Sequence, residues 1–125
     1  MKYPITADDA PKAQGPFSQG TTAARYAFVS GQSGVDPATG SLVSGGIGAQ
    51  TARALANVSI ILEDADLTLE DVTKVTVYLA DITSYDEMNE VYAERFPAPY
   101  PARTVVGVAG LVGGGLVEIE CVACR

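Results

Sequence analysis

A chain of 125 residues with 47% apolar side chains has the length of one ordinary domain and enough Leu, Ile, Val and Ala to fill a core, so it reads as globular and not disordered. Fifteen acidic residues against eight basic ones leave a net charge of −7; ten of the acids fall between Glu63 and Glu94 and the cations form no cluster, which argues against a nucleic-acid partner. Histidine is absent, which removes the usual general base at neutral pH, the usual triad base and the commonest zinc ligand.

The N-terminal stretch MKYPITADDAP has no apolar core of a signal segment, and no apolar run approaches the roughly 20 residues that cross a bilayer. A cytoplasmic protein with no membrane partner is the expectation. The first third is extended chain broken by turns. Tyr26–Val29 is an apolar run, and DPATG supplies a Pro37 suited to the second position of a type I turn and a Gly40 that tolerates positive φ, so a hairpin is predicted. Over residues 49–66, Ala52, Leu55, Ala56, Ser59, Leu62 and Ala65 recur at helical spacing.

The run DVTKVTVYLADI is β-branched and alternating, with Val75, Val77 and Leu79 on one side and Lys74, Thr76 and Tyr78 on the other. A second helix is predicted over TSYDEMNEVYAERF, opened by a capping box of Ser84 and Glu87, with Tyr85, Met88, Tyr92 and Phe96 facing the core, and ended by Pro97. Two further extended runs, TVVGVAGL and LVEIECVAC, are joined through glycines and read as a closing hairpin. The fold class is α+β: a single domain over 1–125, one mixed sheet with both helices packed on one face. In LVEIECVAC both faces are part apolar, so the sheet face away from the helices is expected to meet something, most simply a second copy of the chain.

Glu118 and Glu120, two apart on a strand, leave the same face about 7 Å from each other. They are either solvated carboxylates or interface carboxylates that need a partner or a shifted pKa. Arg103 follows the rigid segment FPAPYPA and is the only cation between Phe96 and Cys124. Its planar fork suits a carboxylate, and it serves either a structural ion pair or a binding role; together with Glu118 it would form a small site for an anionic metabolite and a water. GGIGAQTAR lacks the lysine of a phosphate loop, and CVAC lies in a terminal strand instead of at a helix N-terminus. Cys121 and Cys124, three apart on a strand, point to opposite faces and read as reduced thiols. Asn57 of NVS fits a glycosylation pattern but falls on a buried helix, and is set aside.

AQGPFSQG, FVSGQSGVDPATG, YDEMNEVYAERFP, PARTVVGVAGL and VEIECVA, in that order and nearly end to end, resemble the RidA/YjgF family of reactive-intermediate deaminases. The resemblance implies a fold similar to bacterial chorismate mutase, a homotrimer with clefts between subunits, and hydrolysis of enamines and imines such as 2-aminoacrylate or 2-iminopropanoate to 2-oxo acids and ammonia, with no cofactor and no metal. It makes Arg103 the carboxylate grip and Glu118 the group that orients or deprotonates the attacking water. Phe17, Ser30, Gly31 and Asn89 would line the pocket, and Ala102, Thr104 and Val105 would lend backbone groups around the substrate. The chain departs from the family at Phe17, where a tyrosine is usual, at Val105, where a cysteine is frequent, and at LVGGG in the last turn. Alternatives are a non-catalytic trimer that binds a small carboxylate, and an endoribonuclease or translation inhibitor.

Overall fold

The computed structural model describes residues 1–125. Its elements are β1 (Tyr3–Ile5), β2 (Gly20–Ala23), β3 (Tyr26–Ser33), β4 (Val35–Asp36), β5 (Ser41–Leu42), α1 (Gly46–Glu63), β6 (Val72–Leu79), α2 (Tyr85–Arg95), β7 (Ala102–Gly107) and β8 (Val117–Cys124). Six strands form one sheet in the order β1-β2-β3-β8-β6-β7, with β4 and β5 a separate two-stranded ladder. Every pairing in the large sheet is antiparallel except β6 with β7. The expected mixed sheet with two helices on one face is what forms.

Strand alternation puts Val75, Val77 and Leu79 of β6, and Val117, Ile119, Cys121 and Ala123 of β8, into one buried cluster. Leu55, Val58, Ile61 and Leu62 of α1 and Met88, Tyr92 and Phe96 close it from the helical side. The opposite face of the sheet has no layer over it. Phe28 and Val106 stand there at 43% and 37% exposure, which supports a second surface meeting it. No helix is long and apolar enough to cross a membrane.

Three expectations need correction. The closing hairpin does not form: β6 lies between β7 and β8. Helix α2 carries the chain back so that β7 runs parallel to β6, a pairing that needs a crossover, and residues 108–116 then reach past β6 to start β8. The capping box at Ser84 is absent too. Ser84 makes no side-chain cap, and a short 3₁₀ turn, Ile82–Ser84, precedes α2 with Asp81 Oδ1 accepting from the Thr83 amide at 2.9 Å. A capping box does occur at Thr68 and Asp71, before β6. Lastly, α1 begins at Gly46, so part of the glycine cluster is helix; Gly45 holds its start at φ 110°, a conformation that favours glycine.

The DPATG turn forms as expected, joining β4 to β5 in a short hairpin, with the Gly40 amide donating to the Asp36 carbonyl at 2.8 Å and Gly40 at φ 74°. At Gly34 the chain crosses α1 so closely that a Cβ would lie 2.7 Å from Gln50 Cα and 2.9 Å from its carbonyl oxygen. Gly34→Ala must therefore push helix from strand. A loss of about 1–3 kcal/mol is expected in urea unfolding, as for other overpacked sites; an unchanged midpoint would show that the crossing is looser than this geometry.

Candidate functional site

Arg103 is the second residue of edge strand β7, and its register with Val75 turns it towards the helices. Tyr85, Asn89 and Tyr92 are spaced i, i+4 and i+7 on α2, so they share the face that meets it. Arg103 Nη1 donates to Asn89 Oδ1 at 2.6 Å and Nη2 donates to Tyr85 Oη at 2.9 Å. The guanidinium carbon stands 4.5 Å from the centre of the Tyr92 ring and 5.6 Å from that of Tyr85, within cation–π range. Both hydrogen-bond acceptors are neutral, so the cradle orients the cation without cancelling its charge. This favours the binding role over the structural ion pair.

A cavity of about 420 Å³ opens beside the guanidinium, lined by Asn89, Tyr92, Ala93, Tyr100, Pro101 and Arg103. Its floor is Tyr92, whose hydroxyl is buried without a hydrogen-bond partner. Burial pushes that phenol up to about 12, against the opposing pull of Arg103. Tyr92 therefore stays neutral and acts through its ring.

Glu118 is elsewhere. It sits on β8, opposite Tyr78 of β6 and Ser33 of β3, on the sheet face away from the helices. Its carboxylate lies against Gly31, where any Cβ would collide with it. Gly31 belongs to an irregular stretch of β3 between Val29 and Gln32. Ser30, in the same stretch, donates from Oγ to the Ser18 carbonyl at 2.7 Å and from its amide to the Gln19 carbonyl at 2.9 Å, tying down the loop that carries Phe17. The Phe17 ring is 55% exposed.

The expected residues thus fall into two groups. Arg103 and Asn89 meet on the helical side of β7, with Val105 on the same side packed against the core, while Ala102 and Thr104 face the other way. Glu118, Gly31 and Ser30 gather on the open face, and Phe17 lies in the loop that Ser30 ties down. Arg103 does not open a strand beside Glu118, because β6 separates β7 from β8 by two strand spacings, about 10 Å. Alternation then sends the two side chains to opposite faces. Within one subunit the predicted constellation is not assembled.

The family model described as Endoribonuclease L-PSP matches residues 7–125. The chain belongs to the RidA/YjgF family. Among relatives of this RidA/YjgF chain, a RutC family protein of Pyrococcus horikoshii is 47% identical, over 100% of this chain and 99% of that protein. A protein of Bos taurus named 2-iminobutanoate/2-iminopropanoate deaminase is 44% identical over 97% of this chain and 88% of its own length. The crystal structure of a putative endoribonuclease from Thermotoga maritima superposes with a TM-score of 0.96 at 43% identity, covering 100% of this chain and 98% of that one.

Sequence reasoning gave Tyr85 and Tyr92 only a packing role. The signal was available in the i, i+4, i+7 spacing of two tyrosines around an asparagine, which is not the pattern of a purely apolar face. It also left Tyr78 without a role. The Tyr78 hydroxyl donates to Glu120 Oε1 at 2.5 Å, and that bond to the carboxylate is the first cause of its raised pKa.

Burial, and then the neighbouring Glu120 charge, raise Glu118 above the ordinary carboxylate value. A base works in its deprotonated form, so the upward shift means that acidification silences Glu118 at a higher pH than an exposed glutamate. In an Arg103→Ala background, where that guanidinium makes no contribution, ¹³C NMR should find the Glu118 carboxyl titrating above the ordinary range. Adding Glu120→Gln should bring it part of the way down, since burial persists. A midpoint at or below that of exposed glutamates would contradict this reading.

Proposed function

We propose that this chain hydrolyses small imines and enamines of 2-amino acids, such as 2-iminopropanoate, to 2-oxo acids and ammonia, in clefts between the subunits of a homotrimer. The observation that carries this reading is the neutral cradle of Arg103, which leaves a fixed, uncancelled fork beside a cavity. The name of the 44% identical Bos taurus deaminase supports the chemistry. The separation of Arg103 from Glu118 supports the assembly. An edge strand with Arg103 on one side and an open sheet face with Glu118 on another are different surfaces, and joining them head to tail gives a ring when the rotation closes. Each cleft would then take Arg103 from one subunit and Glu118 from the next.

In such a cleft Arg103 holds the substrate carboxylate through paired hydrogen bonds. The edge strand β7 leaves alternate backbone groups unpaired: the Val108 amide donates to the Leu79 carbonyl of β6, so alternation turns the groups of Ala102 and Thr104 into the ladder and leaves those of Val105 available to the rest of the substrate. The imine carbon, made electrophilic by protonation on nitrogen, is attacked by water as Glu118 accepts one of the water's protons. A C–O bond forms and the π electrons of C=N move to nitrogen. The proton passes to the amino group of the carbinolamine, the C–N bond breaks as the hydroxyl gives its proton to Glu118 and the C=O bond forms, and the departing ammonia takes that proton as ammonium, leaving the 2-oxo acid. Glu118 ends as it began. Ser30 and Gly31 set the position of Glu118, with Gly31 giving the carboxylate its room, and Phe17 contributes a ring wall without a hydroxyl. Neither a metal nor a cofactor is required by this sequence of steps.

Two other readings give different outcomes in the same experiment. An imine is generated by an amino acid oxidase, semicarbazide competes for it, and semicarbazone formation is followed with and without the protein. A dose-dependent fall is expected, with Arg103→Ala lowering the effect about 100-fold or more, the loss typical of a misplaced substrate. Arg103→Lys should not restore it, because an ammonium lacks the planar fork. Tight 2-oxo acid binding without turnover would replace the enzyme with a binding protein. Cleavage of RNA by the same preparation, abolished by salt, would favour the endoribonuclease that the family model's name describes. Full activity in Arg103→Ala would sink the proposed site.

A further inference from the structure

Tyr85 opens α2 directly after the 3₁₀ turn that Asp81 anchors. It is 37% exposed, so its ring is not simply core. Its hydroxyl takes one hydrogen from Nη2 of Arg103 while Asn89 takes one from Nη1. Two acceptors on the two terminal nitrogens fix the guanidinium against rotation in its own plane, and the Tyr92 ring at 4.5 Å limits its tilt. A guanidinium has five N–H donors, so three are left for a ligand. A phenol that accepts from an arginine also keeps its own proton to donate. That proton is directed away from the cation, on a side chain that solvent reaches.

We propose that Tyr85 is a positioning residue for Arg103, and that its hydroxyl adds a hydrogen-bond donor beside the fork for the substrate carboxylate. The donor role rests on the deaminase site proposed above; the positioning role rests on the geometry alone. A packing role would be met equally by phenylalanine, which keeps the ring and its cation–π contact. The hydroxyl is therefore the part to remove.

The positioning is read without any ligand, from ¹⁵N NMR of arginine-labelled protein, with the Arg103 side-chain signals identified by their loss in Arg103→Ala. Rotation about the Cζ–Nη bonds should be about tenfold faster in Tyr85→Phe, as expected when a hydrogen bond to a charged group is lost. Asn89→Ala should act in the same direction. Melting temperature and assembly mass should match the wild type. An unchanged rotation rate in Tyr85→Phe overturns the positioning role.

Pyruvate and its methyl ester are the binding probes. Tyr85→Phe should weaken pyruvate binding about tenfold and leave the ester unaffected, because only the carboxylate faces the added donor. Equal losses for acid and ester overturn the donor role. Faster rotation in Tyr85→Phe together with neither pyruvate binding nor imine hydrolysis in the wild type would support the positioning role and overturn both the donor role and the deaminase reading.

Discussion

A half-buried guanidinium held by uncharged neighbours is the interaction on which the proposed chemistry depends. Taking a cation partly out of water is costly, and most proteins recover that cost by pairing it with a carboxylate. Here the recovery comes from Asn89 and Tyr85, each a hydrogen bond to a charged group of about 1.5–3 kcal/mol, and from the Tyr92 ring, about 0.5–2 kcal/mol. The cation is oriented and its charge is kept. A carboxylate in place of Asn89 would hold Arg103 as firmly and would leave little for a ligand.

The same economy of placement runs through the sheet. Strand β7 is an edge because α2 crosses over the helical face and returns the chain parallel to β6. That crossover does two things at once: it puts the acceptors of α2 above Arg103, and it leaves one side of the β7 backbone unpaired. Glu118 meets a different constraint. It stands on the uncovered face, where burial and Glu120 both disfavour its charge and where a side chain at position 31 would displace it. The Tyr78 hydroxyl ties down Glu120, so the neighbouring charge that acts on Glu118 is itself held in place.

Periodicity made the elements legible and left their arrangement hidden. Val75, Val77 and Leu79 alternate in sequence and are buried together; Leu55 and Leu62 share a helical face and pack beneath the sheet. The runs TVVGVAGL and LVEIECVAC were equally clear as extended chain, although the first strand lies at Ala102–Gly107, and a glycine-rich link between two strands reads as a hairpin when only local signals are used. Whether they pair is decided by β6, which lies more than twenty residues earlier in the chain. The site suffered the same way. Arg103 and Glu118 stood out as an isolated cation and an acid in an apolar strand, while Tyr85 and Tyr92 were read as packing because aromatic residues at helical spacing usually are. Short strands such as β1 and β2 carry no periodicity of their own; β2 exists through pairing with β3, and β1 through pairing with β2.

Alternation on strands also explains why one subunit cannot do the proposed work alone. A one-residue shift of β7 would turn Arg103 to the face that bears Glu118, but it would also take Val105 out of the core and lift Arg103 from its cradle. The sequence keeps the cradle. The cation is therefore ordered inside the subunit; in the proposed trimer it would meet Glu118 only at a contact between subunits, and Phe28 and Val106 offer apolar area on that open face. In the proposed trimer this arrangement couples assembly to chemistry. Burial in the subunit raises the Glu118 pKa, and a guanidinium brought near by the neighbour would lower it. The base would hold its charge more readily in a cleft that also holds the means to bind a carboxylate, and a substrate anion settling on Arg103 would offset that pull and return Glu118 towards proton acceptance.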